Sequence, residues 1–254
     1  MISSRWLAPL ALVLALLAAW ELAARWDVLA DLLSIEPFLI PAPSQVAEAL
    51  YLDRSLLLED TWVTLQEVVL GFLLAVVLGV AFACALHLSL PVRRAFYPLV
   101  VASQTIPIVV LAPILVVWFG FGIGPKLAII ALICFFPITV NTFDGLRGVD
   151  RGQTKLMRTL EASRLQIFGR VEAPSALPGF FSGAKIAAAV AVIGAVFGEW
   201  AGSDSGLGHL MLTSSSQLLT ARTFAAVVVL SGLAIALFAL VGAAERRVVW
   251  WRER

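Results

Sequence analysis

Charge is missing from long stretches of this chain. Residues 68–86 carry none at all, and similar windows recur along the sequence. A helix needs roughly 20 predominantly apolar residues to cross the core of a bilayer. Six windows approach or meet that requirement: residues 6–24, 65–88, 96–118, 127–140, 177–197 and 224–244, the fourth being the shortest and open to extension at either end. The chain is 61% hydrophobic and only 14% charged, whereas a soluble domain has about 25% charged residues to build its water-facing shell. Lipid is therefore the expected solvent. The predicted fold is an all-α, polytopic transmembrane helical bundle of about six spans in one domain, with a first span at 6–24 and a core bundle over 61–244. A cleaved signal peptide behind Arg5 is the alternative for the first span. Its apolar stretch is longer than an h-region, and removing it would leave an odd number of spans.

Lys and Arg accumulate in cytoplasmic loops, and here they partition. With both termini inside, thirteen fall on the cytoplasmic side and four, Arg25, Arg54, Lys126 and Arg222, outside. This predicts an N-in, C-in bundle. The net charge of +1 is a sum over two faces and gives no reason to expect nucleic acid as a partner. Cys84 and Cys134 fall within spans without metal-ligand spacing, and His87 and His209 are far apart. No metal site, cofactor or catalytic residue is expected.

Several segments carry finer expectations. Residues 25–60 form an outer hydrophilic stretch in which Pro41-Ala42-Pro43 breaks any helix and Ser44 caps a short one through Leu50. Gly71, Ala75, Gly79 and Ala83 form a stripe on one helical face, as do Gly179, Gly183, Ala187 and Ala191 in the fifth window. Such stripes let helix backbones approach closely in lipid. The third window holds Pro98, Pro107 and Pro113, with Ser103, Gln104 and Thr105 among them. Backbone freed by proline at membrane depth survives where it is buried in protein or lines a cavity. Gln104 is therefore expected to face a pathway, the other reading being a kinked packing helix. Residues 150–176 form a basic cytoplasmic coupling region in which Leu156, Leu160, Ile167 and Phe168 need an apolar partner. A short helix, a turn and a re-entry helix fit it. Residues 199–222 read as a flexible polar outer loop, with a re-entrant segment as the alternative, and Glu199 at its membrane end either pairs with a cation or marks the interface.

The segment Arg158-Thr-Leu-Glu-Ala-Ser-Arg-Leu-Gln-Ile-Phe-Gly-Arg-Val-Glu-Ala-Pro-Ser-Ala-Leu-Pro178 resembles the cytoplasmic signature loop of binding-protein-dependent ABC permeases. That loop runs Glu-Ala-Ala, three residues, Gly, nine residues, Ile, one residue, Leu-Pro. Set on Pro174, it places the family's Ile on Val171, its Gly on Glu161 and its Glu-Ala-Ala on Lys155, Leu156 and Met157. Pro41-Ala42-Pro43-Ser44, Ile106-Pro107, Trp118-Phe119-Gly120, Phe136-Pro137, Asn141-Thr142 and Gly206-Leu207-Gly208 resemble the same family elsewhere. The nearest branch resembles permeases for nitrate, sulfonates, taurine and thiamine-precursor pyrimidines, with residues 102–107 most similar to the pyrimidine members.

The resemblance implies a multi-pass subunit of the bacterial inner membrane that passes a small polar solute and is not itself an enzyme. The implied partners are ATP-binding cassette ATPase subunits, a periplasmic or lipid-anchored substrate-binding protein, and a second, identical copy of the permease. ATPase coupling would fall to Leu160, Ala162, Ser163, Arg164, Ile167, Phe168, Val171 and Pro174. The pathway would be lined by Ser103, Gln104, Thr105, Asn141 and Glu199. No phosphate-cradling G-x-x-x-x-G-K-[ST] loop is present, so ATP would be hydrolysed by another chain. The competing reading is an ion-coupled secondary transporter, for which Glu21, Glu67 and Lys185 are the ionisable candidates.

Overall fold

A computed structural model describes residues 7–253; Arg5, Trp6 and Arg254, used in the charge count and the first window, lie outside them. The described residues are helical and contain no strand. The six apolar windows all fall in helices: α1 (Leu7–Arg25), α4 (Arg54–Leu88), the pair α5 (Leu90–Ser103) and α6 (Ile108–Phe119), α7 (Ile123–Arg147), α10 (Ala173–Gly202) and α12 (Thr220–Val248). Among the described residues, five helices are long and apolar enough to cross a membrane, or six if α5 and α6 count as one broken span.

The third window is broken, as its prolines predict: α5 and α6 meet at 105°. The fourth extends beyond its apolar stretch, because helix α7 has 25 residues and absorbs the segment from Asn141 to Arg147. One expectation needs correction. The 199–222 segment is not a flexible loop, because α10 runs on to Gly202 and helix α11 (Leu207–Ser216) follows at once, with Leu207 fully buried.

Among the described residues two compact units emerge, one of residues up to 63 with 205–230, the other of residues 64–204 with those from 231 on. In the first, helix α2 (Val28–Leu33) follows α1, and helix α3 (Pro43–Leu52) begins with Pro43 in its first turn, where proline's missing N–H costs nothing. Ala42, not Ser44, stands at the cap position, and its N–H donates to Gln45 Oε1. Ser44 instead bonds Glu21 through its N–H and hydroxyl. Arg222 grips Asp53 with two nitrogens at 2.8 Å, and the Gly206 N–H donates to Asp60 Oδ1 at 2.7 Å.

The second unit is built around α7. Both small-residue stripes pack against it. A Cβ on Gly71 would lie 2.6 Å from Ile130 Cβ, and one on Gly183 would collide with the Pro137 carbonyl. Ala75, Ala83, Ala187 and Ala191 are wholly buried. The stripes thus let α4 and α10 each approach α7 at nearly backbone distance, an approach any larger residue would prevent. At the α7–α10 contact the Asn141 side-chain amide donates to the Pro137 carbonyl at 2.8 Å.

Candidate translocation and coupling sites

The break between α5 and α6 opens a cavity of about 450 Å³. Ser103 and Gln104 line it with Pro107 of the break, Leu132 of α7, and Val190 and Ile193 of α10. The Ser103 hydroxyl returns to the Val100 carbonyl and the Thr105 hydroxyl to the Ala102 carbonyl, absorbing part of the backbone that the break releases. Gln104 Nε2 and Oε1 remain on an exposed residue, so the amide is available to a solute. No charged residue lines this cavity. Thr105 does not line it, and Asn141 and Glu199 lie elsewhere: Asn141 at the α7–α10 contact, Glu199 in a separate buried cluster.

That cluster was not anticipated. Lys126, counted in the outer loop from its sequence, sits in the first turn of α7, 6% exposed. Its Nζ donates to Glu67 Oε1 and to Ser203 Oγ, both at 2.6 Å. Thr64 Oγ1 donates to Glu199 Oε1 at 2.7 Å, and Glu199 is 1% exposed. The open choice at Glu199 is thereby narrowed: it is buried in the same polar cluster as a cation. The other ionisable candidates are also locally held. Lys185 donates to Glu245 at 2.7 Å, and Glu21 takes Arg25 and Ser44. The signal in the sequence was two carboxylates, Glu67 and Glu199, at the ends of apolar windows, each needing a counter-charge.

The 150–176 segment folds as a helix, a turn and a re-entry helix. Asp150 caps helix α8 (Arg151–Thr159) by accepting from the Gly152 N–H. The turn has Glu161 in the left-handed region at φ 57°. Ser163 then caps helix α9 (Arg164–Ile167), exchanging bonds with Gln166 in a capping box. A π-helical turn, Phe168–Glu172, joins α9 to α10. Leu156, Leu160 and Leu165 are 62%, 68% and 79% exposed. Arg164 is exposed too, Ala162, Phe168, Val171 and Pro174 are half-buried, and Ile167 is buried. Glu172, not singled out in the sequence, is 4% exposed; it accepts from His87 Nε2 at 2.9 Å and Arg164 Nη1 at 3.1 Å. No group of His, Cys, Asp and Glu suited to a metal occurs among the described residues.

Residues 71–250 match the profile of the family described as binding-protein-dependent transport system inner membrane component. The chain belongs to this family. It is similar to the formylaminopyrimidine transport permease protein ThiX of Halalkalibacterium halodurans, with 39% identity over 98% of this chain and 97% of the relative. It is also similar to the riboflavin transport system permease protein RibX of Chloroflexus aurantiacus, with 33% identity over 89% of this chain and 85% of the relative. Among solved structures, an inward-facing conformation of the MetNI methionine ABC transporter aligns with a TM-score of 0.61. It covers 74% of this chain and 92% of that one at 21% identity, which establishes a shared fold.

This permease is a multi-pass protein of the bacterial inner membrane and the solute-conducting subunit of an ABC importer for small solutes. It is not an enzyme; membership of the family implies ATPase and substrate-binding protein partners. The family's glycine position is held by Glu161, and the backbone there adopts the positive φ that glycine favours. The turn therefore survives the loss of its glycine, with the strain placed on a glutamate.

Proposed function

We propose that this permease passes a small, neutral, polar heterocycle of pyrimidine size through the cavity at the α5–α6 break, as one of two identical copies. The observation that carries the reading is the cavity's lining: a primary amide at Gln104 and a hydroxyl at Ser103 set among apolar side chains, with no charge. An amide matches the donors and acceptors of a pyrimidine edge. A sulfonate or nitrate leaving water would need a cation here, since a buried unpaired ion is far costlier than a buried hydrogen-bonded neutral group. The cavity of the first unit, about 490 Å³, does include Arg222, but Asp53 already engages that guanidinium. The name of the formylaminopyrimidine relative supports the same class. Family membership does not favour the ion-coupled carrier.

In this reading both termini and residues 150–176 face the cytoplasm. The exposed leucines of α8 and the following turn insert into a groove of the ATPase, with Arg158 and Arg164 at the rim. A single buried leucine contributes about 1.5–3 kcal/mol to such a contact. The test is uptake into proteoliposomes holding the permease, its ATPase and its receptor. A neutral aminopyrimidine should be accumulated with ATP, and an alkanesulfonate should be neither accumulated nor competitive. Sulfonate uptake would refute the assignment of substrate class. Uptake driven by an ion gradient without ATPase would refute the role as a whole.

A further inference from the structure

We infer that Glu172 is a positioning residue that transmits movement of the ATPase-docking segment to the transmembrane helix α4. The inference rests on the reading of residues 150–176 as the docking segment. Its carboxylate is nearly inaccessible, at 4% exposure, although it ends the π turn that follows the helix carrying the exposed Leu165. Burying a carboxylate is costly unless it is paired and hydrogen-bonded. Here its two oxygens are divided between elements. One takes His87 Nε2, from the last turn of α4, at 2.9 Å; the other takes Arg164 Nη1, from the first turn of α9, at 3.1 Å. The Phe168 ring lies 6.3 Å from the His87 ring and adds an apolar contact to the same joint.

The surroundings decide what such a link can do. Arg164 is next to Leu165, 79% exposed, so its end of the link lies at the face that would meet the ATPase. His87 is on the helix whose Gly71 and Gly79 press against Ile130 and Ile138 of α7. Leu132 and Ile133 of α7 line the Gln104 cavity. Displacement of α9 is therefore carried laterally through one carboxylate into α4, and from α4 into a wall of the pathway. The π turn is where this can start. It widens the helix by one residue and breaks the regular ladder, and such turns cluster at functional positions. A continuous α-helix from Arg164 to Gly202 would carry the motion along α10 only.

The experiment compares wild type with Glu172→Gln, Glu172→Asp and Arg164→Gln in proteoliposomes containing ATPase and receptor. ATPase capture, ATP hydrolysis and solute uptake are measured on each. Glu172→Gln should capture ATPase as the wild type does and keep hydrolysing ATP, while uptake per ATP falls about tenfold. Glu172→Asp should restore most of that ratio, and Arg164→Gln should lower it in the same direction. Should Glu172→Gln not yield folded protein, His87→Gln, which breaks the same link from α4 and lies outside the docking segment, decides in its place by the same uptake-to-hydrolysis ratio. An unchanged uptake-to-hydrolysis ratio in the folded variants would overturn the proposal, as would a parallel loss of both. Failure of the wild type to capture any ATPase would instead remove the docking reading beneath it.

Discussion

Replacing Lys126 by methionine should cost this permease a large part of its thermal stability. Methionine is unbranched and one atom shorter than lysine and keeps Cβ and Cγ, so the packing against Gly198, where a Cβ would lie 3.3 Å from Lys126 Cβ and Cγ, is retained while the charge and its donors are removed. The Lys126 and Glu67 side chains are 7% and 3% exposed and joined at 2.6 Å. Glu67 Oε2 already has no hydrogen-bond partner. Without Lys126 the Glu67 carboxylate is left buried with neither oxygen compensated by a cation, in a cluster that also contains Glu199. Removing one member of a buried pair costs about 3–5 kcal/mol. At about 2–4 °C per kcal/mol for chains of 150–250 residues, the melting temperature should fall by about 6–20 °C. Fluorescence-detected size-exclusion chromatography after heating in detergent measures it. The double change Lys126→Met with Glu67→Gln should recover most of the loss, since a neutral amide needs no counter-charge. A Lys126→Met protein melting within about 2 °C of wild type would refute the reasoning. A second change that adds its own loss would do the same.

Two further outcomes follow from individual positions. Glu161→Gly should raise stability by about 1 kcal/mol in the same melting assay, because glycine adopts φ 57° without the cost of about 1–2 kcal/mol carried by other residues; a loss of stability would mean that the Glu161 side chain holds the turn. Gln104→Ala should alter uptake kinetics, raising KM or lowering the rate, while ATPase capture stays intact, and unchanged kinetics would exclude Gln104 from the pathway.

Much of this fold is legible in one dimension because lipid imposes a local rule: a span must be apolar along its length, and the windows on α4, α7, α10 and α12 obey it. The helix, turn and re-entry of residues 150–176 were likewise readable, from Leu156, Leu160, Ile167 and Phe168 at helical spacing and from Pro174, which falls in the first turn of α10. What escaped is non-local. Lys126 reads as a loop residue because its neutralising partner is 59 positions away; a cation becomes tolerable in an apolar setting only once the carboxylates converge. Glu172 occupies the unassigned position between Val171 and Ala173, and its partner His87 is 85 positions away. The bend at Gln104 was signalled by Pro107, but proline indicates that a helix breaks, not through what angle. The π turn has no distinctive composition beyond Gly169.

Energy coupling in this permease requires that residues 150–176 clasp an ATPase, and copurification tests this directly. Tagged wild-type permease should retain its cognate ATPase. Leu160→Asp replaces a 68% exposed leucine with a charge and forfeits about 2 kcal/mol of burial, so it should retain about 30-fold less while melting as the wild type does. No capture by the wild type, or equal capture by Leu160→Asp, would contradict the account.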